Sequence, residues 1–423
     1  MLNKGCSNIP CELYDWITVL GKSLPLRTVS TCLELLLGAM LTRSGFVTQS
    51  WLMLNTQKHW TSYYKCLQQG KWSWLSLARA FVRVVIQQVG GEIVYLAIDD
   101  TLVLRTSKKA PASQIHHQHG NKPNLAHYVR GQCWVTLAQI AMREKGNNIA
   151  VPLLSRLMPT VGNTGKLRAA QTLIRSVVSL YSGKTVRLLM DSWYMRGDLI
   201  LAMLAQEIEV IGQVRHDTRL YDMPVTPKKK QRGRPAKYGK QITVLRANRM
   251  ATTEATLFLY GKDQRLRYRH KVVLARFIKG ATVRAVWCEF YDEKKEQWNK
   301  SRLLLSTNSE LSAEDIIVAY AKRWSIESTF YELKNAWGIK EAWQQTRQTL
   351  NRWVQLTTIG YGLIQLLSLL PAESLSQVML QTPWRKSAEV TAGKIRDGLA
   401  RHFKQVNFFD WWSATCRKIR PPS

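Results

Sequence analysis

Two short apolar segments that each end in acidic residues constrain this fold more than any other feature of the sequence. The first covers residues 93–98 and is followed by Asp99 and Asp100, and the second covers 186–190 and is followed by Asp191. A segment with the pattern of a helix, 166–180, precedes the second one. Strands that alternate with helices predict an α/β core, and in such sheets functional side chains gather beyond the carboxyl ends of the strands.

These strand ends predict a metal site. If the two strands are neighbours, Asp100 and Asp191 converge, and converging carboxylates repel each other unless a cation lies between them. Mg²⁺ accepts one or two carboxylates together with phosphate oxygens and water. With a third acid, such a site can hold two metal ions that assist an in-line displacement at phosphorus. Either aspartate taken alone is more simply explained as a turn residue.

The best candidate for the third acid is Glu327. On a helix, Tyr320, Arg323, Glu327 and Lys334 fall within an arc of about 80°. An apolar stripe adjoins this arc and predicts the packed face of the helix: Ala319, Ile326, Phe330, Leu333 and Trp337. Glu327 can then bind metal while the two basic residues hold DNA phosphates and Tyr320 supports them by hydrogen bonding or stacking. The alternative is a solvated face with ordinary ion pairs.

The pattern of apolar residues predicts five regions along the chain. A helical region that is a candidate for DNA binding precedes an α/β core, which is interrupted by a basic loop and a β-rich insertion. A long helix then begins near Ser312, and the remainder of the chain is helical and basic. The predicted boundaries give the regions 1–88, 89–215, 216–305, 306–345 and 346–423.

The charge of the chain predicts a polyanionic partner. Lys and Arg number 61 against 29 Asp and Glu, which gives a net charge of +32. Basic residues that neutralise phosphates release condensed counterions, so nucleic acid is the favoured partner. The basic residues are spread along the whole chain, unlike those of a membrane-surface helix.

No export signal is evident and the seven cysteines are scattered, so we expect a cytoplasmic protein.

The densest basic segment lies at 228–240 and contains no acidic residue. It includes Lys228, Lys229, Lys230, Arg232 and Arg234, which we regard as candidate DNA contacts. The Arg-Gly-Arg-Pro sequence within it resembles an AT-hook, in which two arginines enter a narrow minor groove. A solvated linker is an equally good interpretation of this segment.

The spacing Tyr-x2-Arg-x3-Glu-x6-Lys at Tyr320, Arg323, Glu327 and Lys334 resembles the signature of a large group of bacterial insertion-sequence transposases with an Asp-Asp-Glu site. The first acidic motif of that group is a strand that ends in Asp-Thr, which matches Asp100. Its second acidic motif resembles the strand that ends at Asp191, and its third acid matches Glu327. The resemblance covers most of the chain between 85 and 345.

The resemblance implies an RNase H-like core split by a β-rich insertion, with Asp100, Asp191 and Glu327 as ligands of Mg²⁺ or Mn²⁺. Asp99 stays an alternative to Asp100. It also implies an enzyme that binds the ends of its element, cleaves the DNA and transfers the strand, acting as a homodimer at the nucleoid. Relatives stack an aromatic residue of the insertion on a flipped base, and Trp298 is the candidate here, with Trp287 as the alternative.

Two other functions remain open at this point. A nuclease with the same core would cut DNA without joining it to a target. A catalytically silent DNA-binding regulator derived from a transposase would be expected to have lost a carboxylate, and all three are present. The sequence alone does not separate the first alternative from a transposase.

Overall fold

The computed structural model describes most of the chain. The described residues are 9–56, 58–117, 126–143, 147–158, 163–225, 233–380, 390–405, 407, 410, 412–413, 415 and 417–419. The basic residues Lys228, Lys229, Lys230 and Arg232 lie outside them. The structural statements below refer to the described residues alone.

The first part of the chain is helical, as predicted. Its helices are α1 (Cys11–Lys22), α2 (Leu26–Leu41), α3 (Val47–Trp51), α4 (Trp60–Gln69) and α5 (Trp74–Val89). Ser73 accepts a hydrogen bond from the backbone of Ser76 and so caps the start of α5. Gly90, with a positive φ of 66°, ends it. A left-handed backbone of this kind costs glycine little, so the chain can turn directly into the first strand.

The core alternates strands and helices. It contains β1 (Ile93–Leu104), β2 (Gln114–His117), β3 (Tyr128–Met142), β4 (Asn148–Leu157), α6 (Asn163–Val177), β5 (Thr185–Met190), α7 (Gly197–Leu204) and β6 (Glu209–Val214). β5 lies between β1 and β6 and runs parallel to both, whereas β3 is antiparallel to β1. The predicted strands and the predicted helix between them are therefore confirmed, and the two acidic strand ends are neighbours.

The insertion extends this sheet. It consists of β7 (Leu220–Tyr221), β8 (Gln241–Ile242), α8 (Val244–Asn248), β9 (Thr253–Leu259), β10 (Lys262–Ala275), β11 (Ala281–Asp292), β12 (Gln297–Trp298) and β13 (Arg302–Ser306). β13 pairs with β6, so the described strands of core and insertion form one continuous sheet of 13 strands. The β-rich character predicted for 241–305 is confirmed.

Helices follow the insertion. They are α9 (Ala313–Lys322), α10 (Ser325–Asn335), α11 (Arg347–Leu367), α12 (Ala372–Leu375) and α13 (Ala392–Phe403), followed by the hairpin of β14 (Trp412–Ser413) and β15 (Lys418–Ile419). Ser312 caps α9 by accepting a hydrogen bond from the backbone of Asp315 at 3.0 Å. The single long helix expected from Ser312 onwards is wrong, because the chain breaks between α9 and α10 at Arg323 and Trp324.

Buried side chains divide between the two faces of the sheet. One face carries Ala97, Leu189 and Ile211 and is covered by α9 and α10. The other face carries Leu96, Ile98 and Met190 and packs in the cluster that includes α5, α6, α7 and α11. This division follows from the alternation of side chains along each strand.

In the described part of the chain, no helix is long and apolar enough to cross a membrane.

The predicted fold class is confirmed. The protein is mixed α/β, with a large mixed sheet and helices at both ends, in keeping with an RNase H-like core. The helices of the first region pack directly on α11. The predicted division of the chain into five regions stays a prediction.

Candidate active site

Asp191 lies directly after β5, at the edge of the sheet. Its Oδ1 accepts hydrogen bonds from the backbone N–H groups of Trp193 and Tyr194, both at 3.0 Å. The aspartate therefore shapes the turn that follows the strand, as an aspartate in a turn commonly does. This contact also fixes the direction of its carboxylate, so the turn and a functional role are compatible.

Asp99 and Asp100 point to opposite faces of β1. Asp99 follows the parity of Ala97, whose partner across the β1–β5 pair is Leu189. These two residues lie on the face that α9 and α10 cover. Asp191 follows the parity of Leu189, so Asp99 and Asp191 share the face of the sheet on which Glu327 is carried.

The guanidinium of Arg323 links Asp99 to Glu327. Its Nη1 donates to Asp99 Oδ2 at 3.0 Å and its Nη2 donates to Glu327 Oε1 at 2.8 Å. The side chain is buried, at 8% exposure. Burial opposes its charge, but Tyr320, Asp99 and Glu327 together raise the pKa of Arg323. Arg323 thus binds both Asp99 and Glu327, which lie more than two hundred residues apart in the sequence.

The surroundings of Asp99 disfavour its charged form. Burial and the nearby charge of Asp191 raise the pKa of Asp99 to about 7, although Arg323 acts in the opposite direction. The single positive charge of Arg323 does not offset the effects of burial and of Asp191 on this carboxyl. The cluster therefore has the electrostatic character of a cation site.

Asp100 belongs to a different polar cluster on the opposite face. Its Oδ2 accepts from Lys166 Nζ at 2.8 Å and from Cys133 Sγ at 3.3 Å, and its Oδ1 accepts from Tyr194 Oη at 3.0 Å. Lys166 also lies over the Trp193 ring, with Nζ 4.8 Å from the centroid. Asp100 is therefore fully engaged by protein groups, and sequence reasoning had not identified Lys166, Cys133 or Tyr194 as its partners.

The other two residues of the predicted helix face occupy different positions. Tyr320 lies on α9, where its hydroxyl donates to Gln213 Oε1 at 3.3 Å and its ring lies 5.7 Å from the Arg323 guanidinium carbon. Lys334 lies in the last turn of α10, two helical turns beyond Glu327. The apolar stripe predicted beside them is buried throughout: Ala319, Ile326, Phe330, Leu333 and Trp337.

The donor set fits a hard divalent cation better than a soft one. Asp99, Asp191 and Glu327 offer only carboxylate oxygens, which suit Mg²⁺ or Mn²⁺. In the described residues, no three His, Cys, Asp or Glu side chains are close enough together to hold an ion. The guanidinium of Arg323 lies between Asp99 and Glu327, and a metal ion in that position would neutralise the same two carboxylates.

Two protein-family models match the chain. A model described as DDE superfamily endonuclease matches residues 20–270, more than half of the chain and including β1, β5 and both of their acidic ends. The chain belongs to the DDE superfamily of endonucleases. A second model, described as archaeal putative transposase ISC1217, matches residues 282–375, which include α9 and α10. A comparison with curated proteins gave no match.

Membership confirms the resemblance and identifies the protein as a DNA-cleaving enzyme of the transposase or nuclease kind. DDE endonucleases generally use divalent metal ions, in agreement with the donor set. Neither match tests the four-residue spacing from Tyr320 to Lys334 or the roles of individual residues, which stay predictions.

Trp298 of this DDE endonuclease lies in β12, within the insertion. Arg267 and Arg265 approach its ring, with guanidinium carbons 4.5 and 5.5 Å from the centroid, and Tyr291 packs edge-on at 5.1 Å. A base that stacks on Trp298 would therefore compete with arginine. The stacking role stays a prediction. Arg234 is exposed, as expected for a DNA contact.

Tyr260 is a candidate site residue that sequence reasoning missed. It forms the turn between β9 and β10 with Gly261, and both residues have a positive φ, of 56° and 81°. Burial raises the pKa of Tyr260, and the charges of Arg302, Arg323 and Glu327 also act on it. The end of this hairpin therefore lies on the same side of the molecule as Arg323 and Glu327. A Tyr-Gly pair between two β-type segments predicts a hairpin turn, but not where the turn lies in the fold.

Proposed function

We propose that this DDE endonuclease is the transposase of an insertion sequence, which binds the ends of its element, cleaves the DNA and transfers the strand to a target. The observation that carries the proposal is the face shared by Asp99, Asp191 and Glu327, with Arg323 bonded to two of them. The match of residues 282–375 to a transposase model supports strand transfer over simple hydrolysis.

The proposed ligands of the metal are Asp99, Asp191 and Glu327. The sequence resemblance favours Asp100 as the first acid, whereas the geometry favours Asp99, because Asp191 and Glu327 lie on its side of β1. When bound, Mg²⁺ or Mn²⁺ would activate the attacking oxygen and stabilise the leaving oxygen of an in-line displacement. The assignment of Asp99 rests on its side of the strand.

The remaining side chains bind and orient the DNA. Arg323 lies between Asp99 and Glu327 and donates to both, so it would orient the two carboxylates. Lys334, at the other end of α10, would contact a phosphate farther along the strand. Tyr320 keeps Arg323 in place through its ring, and Asp191 is kept in place by the turn after β5.

The rest of the chain supplies recognition in this proposal. The helical region before β1 would bind the transposon end, and Arg234 with its basic neighbours in 228–232 would contact the minor groove. Two ends must be held together for transposition, which requires two active sites and so favours a homodimer. The net charge of +32 supports double-stranded DNA as the partner.

The test is cleavage of a DNA fragment that carries the end of the element, with Mg²⁺ and a supercoiled target plasmid. We expect cuts at the element's end and joined products from the wild type. Asp191→Asn and Glu327→Gln should abolish both while DNA binding persists, because these changes keep shape and remove charge. The matched controls are Asp263→Asn and Glu293→Gln, which alter exposed acids of the insertion.

Each outcome separates one function from the others. Cuts without joined products would identify a nuclease and contradict strand transfer. Binding without cuts by the wild type would favour the silent regulator. Equal cleavage by the wild type and the Asp191 and Glu327 variants would show that the carboxylates are assigned wrongly.

A further inference from the structure

A cavity of about 510 Å³ opens next to the candidate active site. Ser192, which follows Asp191 directly, forms part of its wall, and four arginines line it: Arg196, Arg215, Arg219 and Arg276. Arg215 follows the end of β6 and Ser192 follows the turn residue at the end of β5. Since these strands are parallel neighbours, the cavity lies at the same edge of the sheet as the carboxylates. We name it the arginine cavity.

Backbone pairing brings the arginines together from separate segments. Leu220 of β7 pairs with Ala275 of β10, and the N–H of Arg276 donates to the carbonyl of Arg219 at 3.4 Å. These contacts place Arg219 and Arg276 side by side. Gly197, at the start of α7, lies so close to the Phe277 carbonyl that an added Cβ would be 2.3 Å from its oxygen. This approach brings Arg196 to the same wall.

The positive charge of the arginine cavity is only partly neutralised. Arg215 pairs with Asp217 through two hydrogen bonds of 3.0 and 3.1 Å at the exposed rim. No ion pair with a carboxylate is formed by Arg196, Arg219 or Arg276 within the described structure, and the lining contains no acidic residue. Like charges held this close favour an anion between them.

The shape and lining fit a sugar-phosphate backbone. Met195, Val214 and Phe277 contribute an apolar wall beside the guanidinium groups. Arginine binds phosphate through paired N–H donors, and the apolar wall suits the deoxyribose between successive phosphates. The volume exceeds the space that a single phosphate needs.

We propose that the arginine cavity binds the phosphate backbone of double-stranded DNA next to the strand that the carboxylates act on. The inference deepens the proposed function and rests on it for the identity of the substrate. The cavity itself is argued from its arginines and their charge, so it can be tested by binding alone. Contacts of this kind set the register of DNA without reading its sequence.

The test is the binding of a fluorescein-labelled DNA duplex, measured by anisotropy over a range of salt concentrations without divalent metal. The double variant Arg219→Gln and Arg276→Gln should bind about tenfold more weakly and lower the slope of log affinity against log salt by about 2, since each lost phosphate contact lowers it by about 0.9. The variant Arg219→Lys and Arg276→Lys keeps the charges and should recover most of the slope.

The matched control removes the same charge elsewhere. Arg175→Gln with Arg401→Gln changes exposed arginines on α6 and α13, and we expect affinity and slope to stay near those of the wild type. Equal losses in the two double variants would overturn the cavity as a specific site. Thermal unfolding of all variants distinguishes lost binding from lost folding, and recovery by the lysine variant gives a second check.

A duplex with single methylphosphonate linkages locates the contact. When the linkage is moved along the duplex, one short run of positions should weaken binding by the wild type, and the Arg219 and Arg276 glutamine variant should be insensitive to the same linkages. Sensitivity in both proteins would overturn the proposal. If the wild type shows this pattern but does not cleave DNA, the proposed function is wrong and the arginine cavity is still a DNA-binding site. If the wild type cleaves DNA but the pattern is missing, the arginine cavity is wrong and the proposed function is unaffected.

Discussion

The two faces of β1 carry adjacent aspartates in contrasting surroundings. Asp99 faces Asp191, Arg323 and Glu327, where negative charge exceeds the positive charge that the protein provides. Asp100 faces Lys166 and Tyr194, where protein groups satisfy its oxygens. Both aspartates have protein partners, because Asp99 also accepts a hydrogen bond from the backbone N–H of Asp100 at 2.8 Å. They differ in the acids beside them, since Asp191 and Glu327 lie on the face of Asp99 and can share a cation with it. The contrast therefore assigns chemistry to one face and support to the other.

Among the residues that hold the carboxylates in place, Arg323 has the largest expected effect. Arg323→Gln removes the charge that holds Asp99 and Glu327, so we expect cleavage to fall by about 10²–10³-fold, the usual effect of losing one preorganised donor at a reacting centre. Arg175→Gln on the exposed face of α6 is the control and should retain full activity. Single-turnover cleavage with saturating DNA measures both. A loss of only a few fold would remove Arg323 from the catalytic face.

Lys166 tests the supporting face. Lys166→Met leaves Asp100 half-buried without its cation, and we expect the free energy of unfolding to fall by about 1–3 kcal/mol, discounted because both side chains keep some exposure to solvent. Urea unfolding gives the change, with Lys294→Met as the control for an exposed lysine. Cleavage per folded molecule should change far less than in Arg323→Gln. Loss of cleavage with unchanged stability in Lys166→Met would contradict the supporting role of the face that carries Asp100.

The smallest expected effect concerns His116, beside the same cluster. Burial lowers the pKa of His116, and the positive charge of Lys166 lowers it further. Because the folded pKa lies below the unfolded value of about 6.5, this histidine contributes stability above pH 6.5 that is lost as the pH falls through the folded pKa. In Lys166→Met the pKa of His116 should rise, which NMR titration can measure. No rise would show that Lys166 does not face His116.

The sequence was sufficient for the framework of the fold. The strands before Asp100 and Asp191, the intervening helix, the Ser312 cap and the buried stripe from Ala319 to Trp337 all follow from local patterns of apolar and capping residues. These features depend on neighbours in sequence. The structure agrees with each of them.

The parts that sequence did not predict depend on distant contacts. The alternation of side chains along a strand shows that Asp99 and Asp100 lie on opposite faces of β1. It does not show which face α10 covers, because that depends on packing between segments far apart in the chain. The break at Arg323 and Trp324 interrupts an otherwise helical pattern without glycine or proline. The arginine cavity is assembled from segments between 192 and 277 and has no local signal.

The most direct test of the central assignment compares Asp99→Asn with Asp100→Asn in Mg²⁺-dependent cleavage of the element's end, at equal DNA occupancy. We predict that Asp99→Asn abolishes cleavage, whereas Asp100→Asn keeps measurable cleavage and unfolds at lower urea concentration. Full cleavage by Asp99→Asn together with complete loss in Asp100→Asn would contradict the assignment and place the metal on the other face of β1.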